Sequence, residues 1–128
     1  MAGVKQVDPL LNVLRDTITG MVRRNGPDLS ARQFAVFLIC YLESGPHTVR
    51  GMASRLAVSR PVVTRLMDRM EELDLARRIP DPRDRRSVLI DRTSPGDTLL
   101  TDIVTLLGEA SQHRIQTPET TTRLRNRE

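Results

Sequence analysis

Residues 48–92 read TVRGMASRLAVSRPVVTRLMDRMEELDLARRIPDPRDRRSVLIDR, and this stretch decides the fold. Thr48 offers a helix cap, and Val49, Met52, Ala53 and Leu56 recur behind it at helical spacing, facing inward. Ala57 and Val58 turn the chain. Ser59 then caps a further helix, in which Pro61 is tolerated because its missing donor would be unpaired in the first turn anyway. Val63, Leu66, Met67, Met70 and Leu73 form the buried face of that helix. Ala76–Ile79 and Ser87–Asp91 follow as two short strands, joined by a polar loop from Pro80 to Arg86 whose prolines disfavour helix. Helix, turn, helix and arginine-tipped hairpin is the element order of a winged helix. Its two projections suit adjacent grooves of duplex DNA.

The flanks are helical. Leu10, Leu11, Leu14, Ile18, Met21 and Val22 recur at three- and four-residue steps, between a start signal at Asp8-Pro9 and a stop at Asn25-Gly26-Pro27. Ser30 with Gln33 makes a capping box for a second helix. From Phe34 to Leu42 that helix is apolar nearly all round, which predicts the buried centre of the domain, and Gly45-Pro46 ends it. Thr93 to Gly96 reads as a linker. A fifth helix is predicted from Asp97 to about Arg114, with Leu99, Leu100, Ile103, Leu106 and Leu107 apolar. Thr117-Pro118-Glu119 offers the start of a sixth, but the residues after it have almost nothing to bury.

At 128 residues the chain is read as one domain. Lys and Arg outnumber Asp and Glu by 20 to 16, a balance that suits a polyanionic partner without requiring one. Distribution says more: eleven arginines face seven acids between Arg50 and Arg92. Lys5 is the one lysine. Such a skew suits bidentate recognition of phosphate or guanine, and it equally suits genomic base composition. Cys40 is the single cysteine, which excludes an internal disulfide and fits a reducing compartment. No apolar run marks a signal peptide in residues 1–8, and none approaches a membrane span, so a soluble, cytoplasmic protein is expected.

The outward face of the fourth helix carries the chemistry. The candidate contact set is Ser59, Arg60, Pro61, Val62, Thr64, Arg65 and Arg69 there, with Arg83, Asp84, Arg85 and Arg86 at the hairpin tip. Short side chains let the backbone approach a groove, and Arg can take guanine at two points. Three guanidinium groups on a narrow tip suit an electronegative minor groove, and Asp81 or Asp84 can orient a neighbouring Arg. The plain alternatives are a solvated helix whose Asp68 and Glu72 pair with Arg65 and Arg69, and a loop held by its own ion pairs.

The segment SRPVVTRLMDRMEELDL followed by RRIPDPRDRRSVLI resembles the MarR (multiple antibiotic resistance regulator) family of winged-helix regulators. Asp81, Arg83, Asp84 and Arg86 meet the D-x-R-D-x-R pattern of that family's wing, and Thr93 to Asp97 resembles its entry into the fifth helix. The match covers about residues 30–97. It implies a mainly α fold with a small β-hairpin wing: a winged helix-turn-helix (28–93) flanked by dimerisation helices (8–24 and 97–116) and a short tail (117–128). It further implies a homodimer on palindromic double-stranded operators, acting mostly by repression. By the resemblance alone, a small-molecule effector of unassigned identity, or an oxidant at a cysteine, would release the DNA. Three departures stand out. Asp74 sits where the family has a left-handed Gly, Gly51 replaces a Glu inside the third helix, and the C-terminal region is short.

Other chemistry is sparse. Cys40, beside Ile39 and Tyr41, reads as a packed and inert thiol. His47 and His113 lack companions at metal-ligand spacing, and Phe34, Phe37 and Tyr41 read as core. No phosphate loop, nucleophile elbow or paired-carboxylate motif appears, so neither an enzyme nor a cofactor is expected. Two further readings remain: a winged-helix protein–protein module or anti-repressor using the same face, and an architectural DNA binder without sequence preference.

Overall fold

In the computed structural model, which describes residues 8–127 and their side chains through residue 112, the chain forms five helices and a small antiparallel sheet. They run α1 (Pro9–Arg23), α2 (Ala31–Leu42), β1 (His47–Thr48), α3 (Val49–Leu56), α4 (Arg60–Glu72), β2 (Ala76–Pro80), β3 (Val88–Arg92) and α5 (Ser94–Arg127). Residues 1–7, on which the leader-peptide expectation rests, lie outside the described part. The chain separates into two compact units, one spanning Pro27–Leu100 and the other holding α1 with α5 from Thr101 onward.

Local chemistry accounts for most boundaries. Asp8 accepts from the Leu10 N–H at 3.0 Å, and the Ser30–Gln33 box is closed in both directions, at 3.1 and 2.8 Å. Thr48 accepts from the Gly51 N–H at 2.8 Å. Three non-glycine residues end helices in the left-handed region: Asn25 (φ 58°), Ala57 (φ 55°) and Asp74 (φ 54°). Asp74 thus takes the conformation that the resemblance assigns to a glycine, which Asn and Asp tolerate better than most side chains.

Three expectations change. Residues 93–96 are not a linker but the start of α5. Thr93 Oγ1 accepts from the Gly96 N–H at 3.1 Å, and Pro95 falls in the first turn, where it displaces no hydrogen bond. The backbone is then helical to Arg127, without a break at Thr117-Pro118, since a helix can absorb one lost donor at a cost. Finally, β1 is an additional strand, too short to show an alternating pattern. It completes a sheet of order β1-β3-β2, in which Ile90 of the central strand pairs with His47 on one side and Arg78 on the other.

The Pro27–Leu100 unit packs Val36, Phe37, Cys40 and Tyr41 of α2 with Met52 and Ala53 of α3 and Val63, Leu66, Met67 and Met70 of α4. Leu75, Ala76 and Ile90 close this core from the sheet side. Each fully buried side chain of this size contributes roughly 1.5–3 kcal/mol. Val49, Leu56 and Leu73 are only half-buried. Leu42 is 65% exposed, so α2 is not covered all round; at helical spacing it falls beside Leu38 on the less covered side.

Tyr41 is the polar centre of this core. Its hydroxyl donates to the Leu75 carbonyl at 2.6 Å and accepts from the Thr93 N–H at 3.0 Å, while its ring stacks on Phe37 with centroids 4.5 Å apart. The Thr93 hydroxyl donates to the Asp74 carbonyl at 2.6 Å. Arg92 lies over the Tyr41 ring, 5.6 Å from its centroid, and donates through Nε to the Cys40 carbonyl at 2.9 Å. α2, the turn after α4 and the entry to α5 are therefore joined through one side chain.

In the second unit, Thr17 of α1 and Ile103, Leu106 and Ala110 of α5 are buried. A Cβ at Gly20 would lie 2.7 Å from Leu106 Cδ2, so the two helices approach closely there. The apolar stripe of α1 is largely uncovered within one chain. Leu10, Leu14, Ile18 and Val22 recur every four residues and are at least half exposed, and Val104 and Leu107 of α5 are exposed too. No helix among the described residues is long and apolar enough to cross a membrane.

Candidate nucleic-acid interface

α4 begins at Ser59, whose backbone is extended as in a helix cap, but whose side chain makes no capping bond. The reason is local. Pro61 has no N–H to give, and the Val62 and Val63 N–H groups both go to the Ser59 carbonyl, at 3.1 and 3.2 Å. The expected cap is therefore replaced by an unengaged hydroxyl at a positively polarised helix end. Ser59, Arg60, Pro61, Thr64 and Arg65 are exposed along this end, and Val62 is half-buried.

Charge pairing on α4 differs from the expected pattern. Arg69 pairs with Glu72 at 3.2 Å, but Asp68 turns away from Arg65 to Arg78 of β2, at 2.6 Å. Arg78 also pairs with Glu71. Burial lowers the proton affinity of Arg78, and its bonds to the two carboxylates outweigh that effect, holding it above the ordinary guanidinium range. Among the described residues no carboxylate pairs with Arg60 or Arg65. Arg65 makes only a long contact to the Pro61 carbonyl, at 3.5 Å. The cations at the N-terminal end of α4 are thus available, whereas Arg69 is partly engaged.

The wing tip is ordered by its main chain. Asp81 Oδ1 accepts from the Arg83 N–H at 2.9 Å, and Asp84 Oδ1 accepts from the Arg86 N–H at 3.0 Å. Two successive Asx turns result, reinforced by backbone bonds from Asp84 to Asp81 and from Ser87 to Asp84. The expectation that these carboxylates orient a guanidinium is corrected, as is the alternative of a loop held by its own ion pairs. A carboxylate facing the N–H two residues on closes a turn at little entropic cost, whereas a guanidinium must be held at the end of a long chain. Arg83, Arg85 and Arg86 are exposed, and among the described residues none has a carboxylate partner.

This arrangement makes a prediction for the loop. Asp84→Asn retains the accepting oxygen and should leave stability within about 0.5 kcal/mol of the parent, whereas Asp84→Ala should cost about 1 kcal/mol. Equal urea midpoints for the two variants would show that the turn does not depend on this acceptor.

Sequence reasoning missed Arg78. Its signal was the pair of acids at 68 and 71, three residues apart on one helix face, with no local cation placed to answer both. Cys40 and its neighbours lie apart from these projections. The thiol is 1% exposed, and burial pushes its pKa up, only partly opposed by Arg92, so it is an unreactive core group. Among the described residues no group of three or more His, Cys, Asp or Glu is placed to hold a metal, and the side chain of His113 lies outside them.

Residues 29–88 match the sequence profile of the MarR family. Among curated proteins, the chain is 28% identical over 86 residues to the HTH-type transcriptional repressor NicR of Pseudomonas putida, covering 67% of this chain and 54% of that protein. It is 30% identical over 63 residues to the uncharacterized HTH-type transcriptional regulator YsmB of Bacillus subtilis, covering 49% and 43%. The matched part spans about half the length of these relatives. Among solved structures, the S. aureus MepR–DNA complex aligns with a TM-score of 0.66 at 19% identity, covering 89% of this chain and 90% of that one. Transcriptional regulator Tm0710 of Thermotoga maritima aligns with a TM-score of 0.66 at 24% identity, covering 92% and 87%. At these identities the structural matches speak for the fold alone. The helices, the wing with its two Asx turns and the profile match fall on the same stretch: residues 29–88 of this chain form a winged helix-turn-helix that matches the MarR-family profile.

Proposed function

We propose that this chain is a homodimeric, sequence-specific double-stranded DNA-binding regulator of transcription that acts as a repressor. One observation carries the reading: two projections of the same unit, the N-terminal end of α4 and the wing tip, both present exposed guanidinium groups that have no carboxylate partner among the described residues. Ser59, Arg60, Pro61, Val62, Thr64 and Arg65 would face the major groove, with Arg69 one turn on, exchanging Glu72 for phosphate. Arg83, Arg85 and Arg86 would enter the flanking minor groove, with Asp84 shaping the tip. The NicR relative, named a transcriptional repressor, supports the assignment by similarity, and the MepR structure is of a protein of the same fold in complex with DNA.

The exposed apolar stripe of α1, with Val104 and Leu107 of α5, supports a dimer, because covering it removes large side chains from water. A two-fold dimer calls for a palindromic operator whose half-sites lie about one helical turn apart, roughly 10 bp. This role requires neither catalysis nor a cofactor and places the protein in the cytoplasm.

Selecting duplexes from a random library with the purified protein tests affinity, palindromy and spacing together. Arg65→Ala should relax base choice at one position of each half-site, a loss of about 1–3 kcal/mol of discrimination. Arg86→Ala should weaken binding evenly across sequences and flatten the salt dependence. Recovery of no common sequence, or unchanged preferences in Arg65→Ala, would refute these roles.

A further inference from the structure

Arg78 stands on β2, the strand that leads into the wing, yet its guanidinium ends on α4. Nη2 donates to Asp68 Oδ1 at 2.6 Å, Nε donates to Glu71, and Nη1 makes a longer contact to the Thr64 carbonyl at 3.4 Å. Residues 64, 68 and 71 follow one another at steps of four and three, so they form one strip along the helix. A single side chain therefore grips about two turns of α4. The strip starts at Thr64, whose own side chain lies in the candidate contact set.

A single ion pair at the surface would mean little. This one differs in geometry. A planar fork held at several points fixes an orientation as well as a distance. The Arg78 side chain is only 28% exposed, so the attachment is partly shielded from water. The backbone joins α4 to β2 through the short turn Leu73–Leu75, with Asp74 in the left-handed region. Helix and strand are thus connected at one end by that turn and clipped part-way along by Arg78.

We infer that Arg78 is a positioning residue for DNA reading: by clipping β2 to Asp68 and Glu71, it makes α4 and the wing engage the duplex as one rigid body. The inference rests on the DNA-binding role proposed above. Base contacts demand side chains held close to one productive geometry, which a hinge at residues 73–75 would not provide. A competing role for Arg78 is to mask two carboxylates from the phosphates. The two roles differ in what they predict for selectivity.

The test compares the full-length protein with Arg78→Ala and with the double variant Asp68→Ala/Glu71→Ala. Each is titrated, at one salt concentration, with a duplex that the parent selects from a random library and with a random-sequence duplex. The first variant loses a positive charge and the second loses two negative charges. Non-specific affinity should therefore fall in one and rise in the other. The clip predicts that the ratio of specific to non-specific affinity falls in both, by about tenfold or more, the equivalent of one good base contact. Arg78→Lys, which keeps the charge but not the fork, should lie between the parent and Arg78→Ala. Urea midpoints verify folding, and the α4 pair carries the test alone should Arg78→Ala not fold, because Ala is well suited to a helix. An unchanged ratio in either variant, or ratios that move in opposite directions with the charge, overturns the clip while leaving DNA binding intact. If the parent selects no duplex, the DNA-reading role fails and the clip with it.

Discussion

Gly96→Ala is expected to destabilise the Pro27–Leu100 unit by about 3 kcal/mol or more, although it adds a single methyl group. A Cβ at residue 96 would lie 1.6 Å from Tyr41 Oη, 2.4 Å from Cζ and 2.6 Å from the Leu75 carbonyl oxygen. The ring has little room to retreat, being stacked on Phe37 and held by its hydroxyl to Leu75 and Thr93. Displacing it leaves the Leu75 carbonyl and the Thr93 N–H buried without partners, each at roughly 1–3 kcal/mol, and overpacking adds about as much. Against a typical total of roughly 5–15 kcal/mol, that is a large fraction. Urea denaturation measures it, and a midpoint indistinguishable from the parent would contradict the packing described. Adding Tyr41→Phe should reveal the coupling. It removes the nearest clashing atom, so the double variant should lose less than the sum of the two single losses.

Replacing Arg83, Arg85 and Arg86 together by alanine should lower affinity for a selected duplex about a thousandfold while leaving the folded protein intact. Charge-assisted bonds contribute roughly 1.5–3 kcal/mol each, and three of them, without full additivity, approach that loss. The fold should not suffer, because the bonds that shape the tip use the main-chain N–H groups of Arg83 and Arg86 and not their guanidinium groups. Where each arginine replaces a counterion, the slope of log affinity against log salt should flatten by about three per protomer. Anisotropy titrations at several salt concentrations give both quantities. A slope equal to the parent's would remove the wing from the DNA contact.

The elements of the winged helix were legible because their signals are local. A capping side chain, apolar residues at helical spacing and a proline-bounded loop act within a few residues of chain, and α2 to α4 with both wing strands followed from them. Failures came where a local signal had two meanings. Thr93-Ser94-Pro95-Gly96 has the composition of a linker, yet the Thr93 hydroxyl and a harmless proline make it the first turn of α5. Ser59 occupies a capping position, yet Pro61 removes a donor and the Ser59 carbonyl takes the next two.

Which side chains carry charge, and on which element, is a property of the residue order alone: arginines on the outer face of α4 and at the tip of the hairpin. Which of those charges are available is settled by contacts between residues distant in sequence. Arg78 crosses from β2 to take Asp68 and Glu71, so that Arg65 is left without an acid among the described residues. Tyr41 likewise looks like one more aromatic of an apolar helix until Leu75 and Thr93, 34 and 52 residues further on, meet its hydroxyl. Periodicity reports the environment a residue needs, but a hydrogen bond or an ion pair depends on which partner the folded chain brings within about 3 Å.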